Sequence, residues 1–235
     1  MEKDFNLEWH EIKKENSREM LPLFLLLNPI YVEIFLPVMK PYSYIWDPSL
    51  ANIENESPEK QAAAEERVNS EISEELRVGW IGIINRLYDA LQNGVVRTAY
   101  LVIAKDLEQN IIGFCLFKEI DVKHHLTVRI TKFIEGSLDL INSDFNVHDT
   151  IYVSDLGIRP GIQKKGLGKT LLFSIFEYCP SIKKMYLDTS PHELNKKTLG
   201  FYDHLGFKRL IRGHFIDEGE GFYGRDKIVY FYQRP

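Results

Sequence analysis

The sequence predicts an α+β fold, and three observations carry that prediction. Val68, Ile72, Leu76, Trp80, Ile84, Leu87 and Leu91 recur at three- or four-residue steps and form one apolar helix stripe. Two apolar runs, residues 100–104 and 111–117, flank Asp106-Leu107-Glu108-Gln109-Asn110 and read as an antiparallel hairpin. Strand-like and helix-like runs then alternate from Ile151 to Leu205, a β-α-β-α unit in the second half.

Each element follows from local pattern. Phe5, Leu7 and Trp9 alternate with polar residues, which predicts a short first strand. Residues 21–39 approach the length of a membrane span but carry Glu33, Asn28, Pro22, Pro29 and Pro37, which predicts a buried, broken helix instead. The other reading of this segment is an apolar wall facing a substrate or partner. Residues 41–57 read as a loop. Ser57-Pro58-Glu59 supplies a hydroxyl cap, a proline at the first helical position and an acid at the positive dipole end, so the striped helix starts there. Gly79 and Gly82 are places for it to bend or break, and Asn93-Gly94 ends it. Leu126, Val128 and Ile130 alternate and suggest another strand or an extension, followed by an irregular connection over 135–149. Residues 151–158 predict a strand, 165–178 a helix, 185–187 a short strand, and 194–205 a helix stopped by Gly206. Strands at 210–216 and 228–232 close the chain.

The 235 residues suit a single domain over 1–235, in which 1–95 form the first strand plus a helical elaboration and 96–235 form the core. Apolar residues at 44% and charged residues at 27% exclude a disordered or fibrous chain. A formal charge of −5 argues against a dedicated nucleic-acid binder. Cys115 and Cys179 are far apart with no paired spacing, which argues against a disulfide framework or structural zinc and predicts a cytoplasmic location. Residues 1–20 mix charges of both signs and do not read as a secretory signal, so no membrane association is expected.

The stretch from Asp155 to Leu172 carries the chemistry. A strand runs into a proline turn, then a glycine loop, then an amphipathic helix. Glycines at a helix start let backbone N–H groups converge on an anion. Arg159, Lys164, Lys165 and Lys169 add positive charge with no acid among residues 159–169, in a chain that is acidic as a whole. This reads as a phosphate or pyrophosphate cradle. Leu156, Ile158, Pro160, Gln163, Gly166 and Gly168 then match, in order, a pattern of the form L-x-V-x-P-x-x-Q/R-x-x-G-x-G/A. The stretch therefore resembles motif A of the GCN5-related N-acetyltransferase (GNAT) family. Asn195, Thr198, Tyr202, Gly206 and Phe207 resemble that family's motif B, N-x-x-A-x-x-x-Y-x-x-x-G-F, with threonine where alanine is common.

The resemblance implies a GNAT-like α+β fold: a mixed central β-sheet flanked by helices, here with an elongated helical N-terminal part. It implies direct transfer of an acetyl group from acetyl-coenzyme A (acetyl-CoA) to a primary amine, with no metal. The loop from Gln163 through Lys164, Lys165, Gly166, Leu167 and Gly168 to Lys169 would hold the CoA pyrophosphate. Leu156, Gly157 and Ile158 would pair with the pantetheine arm, and Asn195 would contact the cofactor. Tyr202 would protonate the departing thiolate, since a phenol can donate to a developing sulfur anion. The partners implied are acetyl-CoA and an amine acceptor, a small molecule or a protein amine, for a monomer or dimer.

The amine side is less specified. Ser154 stands where some relatives have a glutamate base, and Asp155 is the nearest acid. Strand alternation puts these two on opposite faces unless a bulge intervenes. Asp155 is a base, a substrate contact or a turn-stabilising carboxylate, and Asp188 is a second candidate. Asp217, Glu218 and Glu220 form either a solvated hairpin tip or an acidic rim for a cationic amine. Gly168-Lys169-Thr170 resembles the tail of a P-loop, but Gln163 occupies the place of its first glycine. Two other functions follow from these features: a non-catalytic acyl-CoA sensor, and a P-loop-like nucleotide-binding protein. His124-His125, placed on a strand, would point to opposite faces and make a poor metal site. Cys115 reads as buried core.

Overall fold

The computed structural model describes residues 5–46, 55–137, 148–163, 166–192, 195–216 and 226–235. In chain order the elements are β1 (Phe5–Ile12), α1 (Leu21–Trp46), α2 (Pro58–Gln92), β2 (Val96–Asp106), β3 (Ile111–Ile120), α3 (Val122–Arg129), β4 (Ile130–Glu135) and β5 (Thr150–Ile158). They continue as α4 (Leu167–Phe173), α5 (Ile175–Tyr178), β6 (Lys184–Thr189), α6 (Lys196–His204), β7 (Lys208–Phe215) and β8 (Asp226–Gln233). The strands form one mixed sheet in the order β1-β2-β3-β5-β6-β8-β7-β4. Its β5–β6 pairing is parallel. The expected α+β architecture, with its helical N-terminal part, is present.

Two apolar layers sandwich the sheet. On one face α1 and α2 bury Phe24, Leu27, Ile34, Trp80 and Leu87 against Phe114, Leu116, Tyr152 and Tyr186. On the other, α4, α5 and α6 bury Leu171, Ile175, Phe176 and Tyr202 against Cys115, Phe117, Ile151, Val153 and Tyr230. Below, these are the helical-arm face and the cradle face.

The stripe predicted for α2 is its buried face, residue for residue. Ser57 accepts from the Lys60 N–H at 3.4 Å, and Pro58 opens the helix. Gly79 and Gly82 do not break it; it runs 35 residues to Gln92. Asn93 caps it, and Gly94 turns the chain away at φ +72°.

Three expectations are corrected. First, α1 is continuous over 26 residues and includes 41–46, which were read as loop; 47–54 of that loop lie outside the described residues. Pro22 sits in the first turn, where its missing N–H costs nothing. Pro29 and Pro37 are exposed, so water can reach the carbonyls that lose their helical donors. Second, α1 is buried on one side, not all round: Phe24, Leu27 and Ile34 are in the core, whereas Leu25 and Leu26 are exposed. Leu21–Met39 is long and apolar enough to cross a membrane by length and composition, but this inner side packs on the protein's own sheet. Third, residues 122–129 are helix, not strand. Asp121 accepts from the His124 N–H at 2.9 Å and caps α3, and Val122 and Leu126 are buried one turn apart. The strand begins only at Ile130, which pairs with Phe215 and adds β4 to the sheet edge. His124 and His125 are therefore on a helix. Most of the irregular connection, 138–147, lies outside the described residues.

Candidate active site

The site begins with a register shift. Leu116 of β3 pairs with Asp155 of β5, but the next residue, Phe117, pairs with Val153. Ser154 is the extra residue of a β-bulge. Before it, Tyr152 faces the helical arm and Ile151 and Val153 face the cradle. After it, Leu156 and Ile158 face the cradle, while a Cβ on Gly157 would meet Phe114 and Ile34 on the arm side. The bulge thus puts Ser154 and Asp155 on the same, helical-arm face, and the Ser154 hydroxyl donates to Asp155 Oδ2 at 2.7 Å.

The bulge also parts the sheet. The β5–β6 ladder holds Thr150, Ile151 and Tyr152 against Lys184, Met185 and Tyr186. Beyond it, β5 continues to Ile158 bonded to β3, and β6 continues to Thr189 bonded to β8. The two central strands separate there, and the edge of β5 from Val153 to Ile158 faces the opening.

The glycine loop stands at the end of this opening. Gly161 and Gly166 take φ of +82° and +77°, which favours glycine, and α4 begins immediately after Gly166. The first helical bond runs from Thr170 N–H to Gly166 O at 3.0 Å, so the amides of Leu167, Gly168 and Lys169 are in the first turn, where helical partners are lacking. Gly168 is required by space: a Cβ there would lie 3.0 Å from Ile158 Cδ1 and 3.2 Å from the Phe201 ring. Gly168→Val should push α4 off the end of β5 and weaken binding of a phosphate-bearing ligand, measured by titration of CoA against both proteins. Gln163 braces the loop by donating to Ile158 O at 3.3 Å. Lys164 and Lys165 lie outside the described residues, as do Asp217, Glu218 and Glu220. Arg159 does not join the cradle cations as its charge suggested: it pairs with Glu33 of α1 at 2.8 Å, which also explains the acid in that apolar helix.

Asn195 is buried at the N-cap position of α6, and its side chain bonds to the end of β6 rather than to the helix. Its Nδ2 donates to Thr189 Oγ1 at 2.9 Å and to Ser190 O at 2.7 Å, which fixes the end of β6. Both amide hydrogens are committed, so what it can offer a ligand is its carbonyl oxygen. Tyr202 reaches in from α6 on the cradle face, 5.5 Å from the rings of Phe207 and Tyr230. Burial drives its pKa well above the ordinary phenol value, with the Cys115 thiol and the Asp155 carboxyl adding to the effect. It therefore holds its proton at neutral pH. Cys115 is fully buried, and burial raises its thiol far above the usual range, as expected of core.

Asp155 and Asp188 are pushed in opposite directions. Burial raises the Asp155 carboxyl, and Lys118 and the Ser154 hydroxyl only partly oppose it. Burial also acts to raise Asp188, but the Arg129 guanidinium outweighs it, with Lys227 and the Tyr152 hydroxyl assisting, and the result is a lowered pKa. Arg129 Nη1 lies 2.9 Å from Asp188 Oδ2, and the Tyr152 hydroxyl donates to the same oxygen at 2.5 Å. An acid so committed is a poor proton acceptor, so of the two candidates Asp155 is the better base. Sequence reasoning did not find Arg129, His125 and Tyr152 as members of this network. His125 and Arg129 are one helical turn apart and bond at 2.9 Å, a spacing that shows only once 122–129 is read as helix. Burial, then Arg129, lowers His125 to about 4, so it is neutral.

The fold is a mixed sheet that parts at a bulge, with a glycine loop leading into a helix beside the opening. A family model described as "Acetyltransferase (GNAT) family" matches residues 66–207, and the chain belongs to that family. Among solved structures it is similar to the PaiA N-acetyltransferase of Thermoplasma acidophilum in complex with coenzyme A, at 17% identity over 97% of this chain and 99% of that one, TM-score 0.44. It is also similar to Arabidopsis thaliana NAA60 in complex with a bisubstrate analogue, at 19% identity over 63% of this chain and 82% of that one, TM-score 0.41. A spermidine N-acetyltransferase, SpeG of Vibrio cholerae, is 18% identical over 66% of this chain and 73% of that one, TM-score 0.40. No curated protein matches the sequence.

Proposed function

We propose that this protein transfers an acetyl group from acetyl-CoA to a primary amine by direct attack. The observation that carries the reading is the opening between β5 and β6, flanked by Tyr202 on one face and Asp155 on the other. The pantetheine arm resembles a short peptide, and the edge of β5 offers it strand-like hydrogen bonding. The first-turn amides of α4, with Lys169, suit the pyrophosphate.

Asp155 takes a proton from the ammonium and leaves a neutral amine. The amine nitrogen attacks the thioester carbonyl carbon, the C–N bond forms and the C–S bond breaks. The sulfur receives the proton of the Tyr202 hydroxyl, CoA leaves as the thiol, and the second proton shed by the attacking nitrogen restores the Tyr202 hydroxyl. Holding donor and acceptor on opposite sides of one gap supplies much of the acceleration by position. Burial serves both groups: it makes Asp155 a stronger base than an exposed carboxylate and keeps Tyr202 protonated.

Tyr202→Phe tests the assignment. Turnover in thiol release should fall by about 100-fold or more while CoA affinity stays the same. Unchanged turnover would remove Tyr202 from the reaction, and a parallel loss of affinity would make it a binding residue.

A further inference from the structure

The other end of the acceptor can be read from charge. The face that carries Asp155 gathers cations from four elements. Arg86 of α2 and Lys118 of β3 act on the Asp155 carboxyl. Arg129 of α3 and Lys227 of β8 act on Asp188. Alternation agrees, because Lys118 follows Phe114 and Leu116 on the helical-arm face, and Lys227 precedes Val229 there. Among the described residues, the carboxylates these cations act on include Asp155 and Asp188, and Asp188 is held by Arg129.

Arg129 is the best placed of the four to hold an anion. It spends one nitrogen, Nη1, on Asp188 Oδ2 at 2.9 Å, on His125 Nε2 at 2.9 Å and on the Tyr152 hydroxyl at 3.3 Å. A guanidinium has five donors in a fixed fork. Among the described residues, Nε and Nη2 of Arg129 make no hydrogen bond. The Phe215 ring, 5.3 Å from Cζ, helps to hold the group in place, and the side chain remains 22% exposed. A polyamine would bring further positive charge to this face. An amine that also carries a carboxylate would give its anion to the cations and its nitrogen to Asp155.

We infer that the acceptor is an amino carboxylate such as an amino acid, its carboxylate held by Arg129 with Lys118 beside it, and its amine directed to Asp155. The inference rests on the acetyltransferase reading of the same site. The test is thermal unfolding of the full chain saturated with CoA, titrated with matched pairs: lysine and cadaverine, phenylalanine and phenethylamine. The carboxylate-bearing member should bind roughly 10- to 100-fold more tightly. Lys118→Met and Arg129→Lys should each bring the ratio towards one, and Lys118→Met leaves the Asp188 pair intact if the Arg129 variant folds poorly. Equal or tighter binding of the decarboxylated members would overturn the inference. So would binding by neither member, or a ratio that Lys118→Met does not move. If CoA itself gave no stabilisation, the acetyltransferase reading would be what failed.

Discussion

Asp155→Asn should lower turnover by roughly 100- to 10,000-fold, the range for a lost general base, and should raise thermal stability at neutral pH. The two effects have one cause. Burial raises the Asp155 pKa above the ordinary aspartate value of 3.8, so the folded protein holds this proton more tightly than the unfolded chain does. The stability contribution is fully present below pH 3.8 and is lost as pH rises through the folded pKa, because ionising the half-buried carboxyl opposes folding. Asparagine keeps the shape, can still bond to Ser154 and has nothing to ionise. Melting temperature and thiol release across pH 4 to about 9 would show both effects. In the native enzyme the acid limb of the rate profile should lie above the ordinary carboxylate range. A variant that keeps its turnover would assign the proton to another acceptor.

Arg129→Met should destabilise by about 3–5 kcal/mol, since it leaves Asp188 as a buried charge without its partner. Asp188 is 8% exposed and has its guanidinium at 2.9 Å. Here the sign is the reverse of that at Asp155. The lowered Asp188 pKa contributes stability above pH 3.8, and that stability is lost as pH falls through the folded pKa. In the variant the carboxyl can relieve itself by protonation, so the deficit should shrink on acidification. Adding Asp188→Asn should recover most of the loss at neutral pH. Urea unfolding of the single and double variants at pH 7 and about pH 4 would measure this. A single variant as stable as the parent would mean that the pair contributes nothing to the fold.

Much of this was legible in the sequence, for physical reasons. The α2 stripe is a long periodic pattern, and its seven buried positions can be read from spacing alone. The glycine loop is legible because Gly166 needs a left-handed backbone and Gly168 a close approach, and few other residues meet either need. What escaped depends on partners distant in the chain. The bulge at Ser154 exists because β3 pairs with β5 out of step, so no property of residues 154 and 155 alone shows that they share a face. Arg159 looked like a phosphate ligand until Glu33, far upstream, took it. α3 is two turns long, and its apolar residues fit a strand period as well as a helical one; the capping Asp121 was the signal that separated the two. Pro29 and Pro37 of α1 are poor guides to a break because both are exposed to water.

Thermal unfolding with CoA, acetyl-CoA, or ATP with magnesium tests the central claim most directly, that the opening between β5 and β6 and its cradle hold an acyl-CoA. At a hundred times its dissociation constant, a ligand stabilises by about 2.7 kcal/mol, enough for a clear shift. Both forms of CoA should raise the melting temperature, and ATP with magnesium should not. Stabilisation by ATP alone, or by none of the three, would contradict the account.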